Sequence, residues 1–171
     1  MQYEHTMITW QYIAGFFDGE GCVSVGRARR VVPQMKEPAW GYSLLLAIAQ
    51  RHREPLQRFM DLFGGNLYAY RVKGVEYWRW SVSSHRAQAA IEKLLPYLLN
   101  KRAIAEVGIR FQIQMTAWNK EHGRRRGGYP AEVIAGREAF YHEARALNAK
   151  ARTNHRAPKY EGPKAIAAKT A

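Results

Sequence analysis

The sequence predicts an α+β fold in which helices cover one face of an antiparallel sheet. Three observations predict it. Two pairs of segments alternate apolar and polar residues, a segment of helical period precedes each pair, and helical periodicity resumes beyond the second pair. Residues 6–18 form the first expected helix, because Met7, Trp10, Ala14 and Phe17 recur at helical spacing behind Thr6, a plausible N-cap. Cys22-Val23-Ser24-Val25-Gly26 reads as a strand with Val23 and Val25 on one face. Beyond Pro33 and Pro38, Tyr42, Leu44, Leu46 and Ile48 alternate as the core face of a second strand. Glu54-Pro55 opens a helix striped by Leu56, Phe59, Met60 and Phe63 and closed by Gly64-Gly65. Strands at 66–73 and 76–83 meet in a turn through Gly74. A helix over about 85–95 stops at Pro96, and another carries Ile104, Val107, Phe111, Met115 and Trp118 on one side. The order is therefore helix, two strands, helix, two strands, then helices, and the uncovered sheet face is where arginines can point.

Composition narrows the partner. Of 171 residues 47% are hydrophobic and 24% charged, enough to bury a core. The longest aliphatic run, Leu44 to Ala49, is far short of the roughly 20 residues of a membrane helix. The first residues lack a secretory layout, and the single cysteine, Cys22, excludes an internal disulfide framework or a cysteine zinc site. An intracellular protein is expected, cytoplasmic or organellar, with no membrane and no small-molecule substrate. Lys and Arg number 27 against 14 Asp and Glu, a net charge of +13 that favours polyanions, nucleic acid above all. Residues 1–118 carry +6 and residues 119–171 carry +7, so the expected division is a core over 1–118 and a basic helical extension over 119–171. In the extension, Arg124, Arg125 and Arg126 precede two glycines, and a helix from Pro130 to about Leu147 comes next. The extension is expected to lie along DNA phosphates.

The most specific segment is Tyr12-Ile13-Ala14-Gly15-Phe16-Phe17-Asp18-Gly19-Glu20-Gly21. Its glycines at 15 and 19 share one helix face, where a second helix can approach closely. The carboxylate of Glu20 sits between two glycines at the helix end, just before a strand. The segment resembles the signature of the LAGLIDADG homing endonucleases, with small residues, two acids and the glycine frame at the expected spacing. Two further stretches share the resemblance: Leu46 to Arg51, ending a strand in Gln50-Arg51, and Leu95 to Arg102, with Lys101 after a Pro-aromatic-Leu turn. The resemblance implies the αββαββα homing-endonuclease core with a DNA-facing β-saddle. It implies Glu20 as the metal carboxylate, the Gly19 carbonyl as a secondary ligand, and Gln50 and Lys101 as catalytic partners at the cleaved phosphate. Many members carry aspartate where this chain has Glu20.

The motif occurs once. Val133-Ile134-Ala135-Gly136-Arg137-Glu138-Ala139-Phe140 mimics only its first half and lacks the two-acid, two-glycine ending. A single carboxylate cannot reach both scissile phosphates, so the resemblance implies a homodimer. Tyr12, Gly15, Phe16, Asp18 and Gly19 would lie at its interface, over a long double-stranded DNA target of pseudo-palindromic character. Mg2+ is the expected ion, with Mn2+ or Ca2+ able to bind, since such cations take oxygen ligands and keep several waters. On the sheet, Ser24 and Arg30 oppose the core positions Val23 and Val25, with Arg27 and Arg29 near the rim. Tyr77 and Arg79 face the groove if Trp78, Trp80 and Val82 face inward, and Arg51, Arg71 and Lys73 are adjacent DNA-contact candidates. The expected function is a site-specific endonuclease, free-standing and intron-encoded. The rivals are an RNA-binding maturase and a non-catalytic regulator on the same scaffold.

Overall fold

The computed structural model describes residues 9–30, 39–123 and 129–154. Its elements run α1 (Trp10–Glu20), β1 (Gly21–Arg30), β2 (Ala39–Gln50), α2 (Arg53–Phe63), β3 (Asn66–Val72), β4 (Val75–Ser83), α3 (Ser84–Leu94), α4 (Arg102–His122) and α5 (Ala131–Asn154). A single 3-10 turn over Leu95–Tyr97 separates α3 from the approach to α4. The predicted order through α4 is therefore present. Thr6 lies outside the described residues; the N-cap of α1 is Thr9, whose hydroxyl accepts from the Tyr12 amide at 3.3 Å.

The four strands form one antiparallel sheet in the order β1-β2-β4-β3. Alternation drives its covered face: Val23, Val25, Tyr42, Leu44, Leu46, Ile48, Trp80 and Val82 are all buried. Trp80 satisfies its one donor by giving its indole N–H to the Gly64 carbonyl at 2.8 Å, which ties β4 to the end of α2. Two residues join β3 to β4, Lys73 at φ 50° and Gly74 at φ 81°, the left-handed pair that a two-residue hairpin matching strand twist requires.

Helix α4 crosses close to the sheet because it carries Gly108 there. A Cβ at this position would lie 2.6 Å from Leu44 Cδ1 and 3.6 Å from Val23 Cγ1. The helix-propensity gain of alanine is about 1 kcal/mol, smaller than the usual cost of overpacking a closed core. Gly108→Ala should therefore destabilise the fold by up to about 2 kcal/mol net, read as a lower denaturation midpoint at unchanged slope. An unchanged midpoint would show that Leu44 yields freely.

The division expected at 118/119 falls inside α4, and α5, the helix expected within the extension, packs as a layer of the fold. Ala144 is buried, the Phe140 ring meets the Phe111 ring edge-on at 5.9 Å, and Arg110 pairs with Glu143 at 2.6 Å. Strand β1 is a sheet edge, and Asn148 caps it by donating to the Val23 carbonyl at 3.0 Å. Glu138 of α5 receives hydrogen bonds from both Arg27 and the Tyr42 hydroxyl. Burial, with that bond to Glu138, pushes the Tyr42 hydroxyl up to about 12. Residues 155–171 of the expected extension lie outside the described residues.

Candidate functional site

Helix α1 buries Ile13, Ala14 and Phe17 and turns into β1 without a spacer. Gly21 makes this possible: a Cβ there would sit 2.5 Å from both the Phe17 carbonyl oxygen and the Phe17 ring. Glu20 is thus the last helical residue. It is exposed and makes no hydrogen bond or ion pair with any described residue. Gly19 beside it is also exposed. Gly21 pairs with Ile48, so Gln50, two residues further along β2 and half-exposed, ends its strand at the same end of the sheet.

Lys101 reaches this end from the other side. Its backbone caps α4, and its ammonium donates to the Asp18 carbonyl, where the last turn of α1 offers free carbonyl oxygens. Burial lowers the Lys101 ammonium below the ordinary lysine value, opposed by the nearby charges of Asp18, Cys22 and Glu20. The structure therefore gathers Glu20 and Lys101 at the end of α1, with Gln50 at the adjoining strand end.

Asp18, an expected dimer-surface residue, is not at a surface. It is buried, and its carboxylate accepts three backbone amides: Leu99 at 3.1 Å, Asn100 at 2.9 Å and Lys101 at 2.8 Å. These are the unpaired donors leading into α4, where a negative charge is also favoured by the helix dipole. The first acid of the motif is a pin between α1 and the lysine-bearing turn. Sequence carried no sign of this, because the partners are amides some 80 residues away. Among the other expected interface residues Tyr12, Gly15 and Gly19 are exposed, and a Cβ at either glycine would meet nothing within 4 Å. Phe16 is half-buried, its ring 5.9 Å from that of Phe59, so it turns partly toward the chain's own core.

Pairing fixes the sheet's open face. Ser24, Tyr77 and Arg79 lie on it, and so does the backbone position of Arg30. Arg51 is exposed beyond β2, its guanidinium 5.8 Å from the centre of the Tyr77 ring. Arg27 is a correction. It sits opposite Tyr42 on the covered face, between the rings of Trp40 (4.4 Å) and Tyr141 (4.7 Å), and is held by Glu138. Arg29 pairs with Trp40 on that same side, and Arg71 pairs with Glu76 on the face opposite Arg79, at 4.0 Å between charged groups. One residue of phase separates these three from the open face. Lys73 is exposed at the hairpin tip, while Arg124, Arg125 and Arg126 lie outside the described residues.

Among the described residues no three His, Cys, Asp or Glu side chains come together as a metal cage. The donors at the end of α1 are one free carboxylate and a helix-end carbonyl. That oxygen-only set suits a hard cation completed by water and phosphate, and it does not suit zinc. No helix among the described residues is long and apolar enough to cross a membrane.

Known proteins agree with this architecture. The chain is similar in structure to the homing endonuclease I-CvuI, solved with a target DNA in the presence of Mg, at 22% identity and a TM-score of 0.56 over 88% of this chain and 83% of that one. It is similar to the archaeal intron-encoded homing endonuclease I-Vdi141I, solved with DNA, at 15% identity and 0.62 over 81% and 82%. It is also similar to I-SmaMI, solved on cleaved DNA, at 16% identity and 0.58; there the match spans 82% of this chain and 45% of that one. No curated protein matches the sequence. The family model described as LAGLIDADG endonuclease matches residues 13–119, more than half of the chain, from the helix carrying Glu20 through α4. The chain belongs to the LAGLIDADG endonuclease family.

Proposed function

We propose that this site-specific DNA endonuclease cuts both strands of a long, pseudo-palindromic duplex as a homodimer, with Mg2+ held at Glu20 of each subunit. The observation that carries the reading is the end of α1: a carboxylate, Glu20, without a hydrogen bond or ion pair among the described residues, next to a glycine face that no described atom approaches within 4 Å of a Cβ position. Two such helices packed about a two-fold axis bring two carboxylates together, one for each strand. I-CvuI has been solved on DNA with Mg and with Ca, which supports a divalent ion.

The residues that would hold the ion are Glu20 through its carboxylate and Gly19 through its carbonyl. When bound, such an ion polarises the scissile phosphate, activates water and neutralises the leaving oxygen. Lys101, anchored by Asp18, supplies a fixed positive charge where negative charge accumulates on the phosphate. Gln50 orients the attacking water from the strand end. The open sheet face, with Ser24, Tyr77, Arg79 and Arg51 at its border, lies in the major groove. Arg145 and Lys150, exposed on α5, contact the flanking phosphates.

A library of duplexes incubated with the protein tests this. Cleavage should stop on chelation, return with Mg2+, and occur with two chains per duplex by sedimentation. Gly15→Leu separates fold from assembly. Within one chain a Cβ at Gly15 meets no described atom within 4 Å and a better helix former replaces glycine, so thermal stability should be held or raised by up to about 1 kcal/mol. Between two α1 helices it forces them apart, so the variant should sediment as a monomer and lose cutting. A dimer that tolerates Gly15→Leu, or a monomer that cuts both strands, would refute the arrangement.

A further inference from the structure

The open face of the sheet is chemically divided. Where β1 meets β2 it is floored by small side chains, Gly26 opposite Ser43 and Ala28 opposite Gly41. Where β3 meets β4 it rises into an aromatic ridge. Tyr70 pairs with Tyr77 across the hairpin, the rings stacked at 5.8 Å and 27°, and Tyr68 lies 6.4 Å from Tyr70 on the same strand face. Tyr68 is 48% exposed despite its size, and its cross-strand partner is Arg79. Among strand residues whose side chains are described, Arg79 is the only charged one on this face. In a chain of net charge +13, the described part of this face between β3 and β4 thus carries tyrosines around a single arginine.

In the major groove the apolar group that tells one base pair from another is the thymine 5-methyl, and guanine offers the two acceptors that suit a guanidinium. We infer that Tyr68 and Tyr70 are specificity-determining residues that pack on thymine methyls in each half-site, beside a guanine read by Arg79. The inference rests on the DNA-cleaving reading above and names the base chemistry of its target. Stacking on Tyr77 fixes the ring of Tyr70 before DNA arrives, so little rotamer freedom is lost on contact.

The test begins by selecting cleaved duplexes from a random library, which yields the half-site. Affinity is then measured with the non-cutting Glu20→Gln variant on that duplex, with single thymines replaced by deoxyuridine. At two or more positions per half-site the loss of one methyl should weaken binding roughly fourfold. In Tyr68→Ser and Tyr70→Ser proteins of unchanged melting temperature, thymine and deoxyuridine should bind alike. A recovered target on which deoxyuridine changes nothing, or on which the serine variants keep the methyl preference, would overturn the inference and leave the endonuclease standing. That second result would place the methyl contact on other residues. A library from which nothing is cut would overturn both.

Discussion

Glu20→Gln should abolish DNA cleavage while leaving the fold and DNA binding intact. The side chain is exposed and forms no hydrogen bond or ion pair with any described residue, so stability should stay within about 0.5 kcal/mol of the parent. The amide has the shape of the carboxylate and none of its charge, so it gives up the anionic ligand that a hard cation requires. Several kcal/mol of charge stabilisation at the phosphate depend on that ligand, which corresponds to a thousandfold loss of cutting rate or more. Removing a negative charge beside DNA should hold or tighten affinity. Glu20→Asp shortens the arm by one methylene but keeps the ligand, and should retain activity within about tenfold of wild type. Single-turnover cleavage in parallel with a binding titration checks all three. A Glu20→Gln protein that cuts at the parent rate would move the metal elsewhere.

Much of this was legible in the sequence because periodicity and glycine placement are local signals. Tyr42, Leu44, Leu46 and Ile48 announced a covered strand face and are buried together. The place of Glu20 at the end of α1 was legible for the same reason, since its frame of glycines is contiguous and Gly21 is sterically required against Phe17. The strand arginines were not. Arg27, Arg29 and Arg30 crowd one short stretch, and the register against Tyr42 and Trp40 shows that Arg27 and Arg29 keep the phase of Val23 and Val25 on the covered side and do not turn to the rim. Basic composition pointed α5 toward DNA, yet the residues that matter to its packing are Phe140, Glu138 and Asn148, whose partners lie far away in the sequence. The tyrosine ridge was visible as Tyr68-Ala69-Tyr70, but aromatic residues also fill strands, and pairing alone shows which face they occupy.

The second large effect is expected at Asp18, where fold and chemistry meet. Asp18→Ala should destabilise the chain by about 2–4 kcal/mol, since three amides of the part-buried 99–101 turn lose a charged acceptor. Asp18→Asn keeps the volume but replaces one accepting oxygen with a donor that faces an amide. It should cost about 1.5–3 kcal/mol, less than alanine and more than a surface change. The destabilisation is only half of the prediction. The Lys101 ammonium is seated on the Asp18 carbonyl, and its backbone amide on the Asp18 carboxylate, so freeing the 99–101 turn also frees the lysine. Cleavage by Asp18→Asn should fall at least tenfold at a temperature where the variant is fully folded, with DNA affinity unchanged, because a charge displaced by about 1 Å stabilises the transition state far less. Denaturant melts give the first half and single-turnover rates on folded protein give the second. A variant that is destabilised yet cuts at the parent rate would show that Asp18 holds the fold without positioning Lys101. One of parent stability would remove the pin altogether.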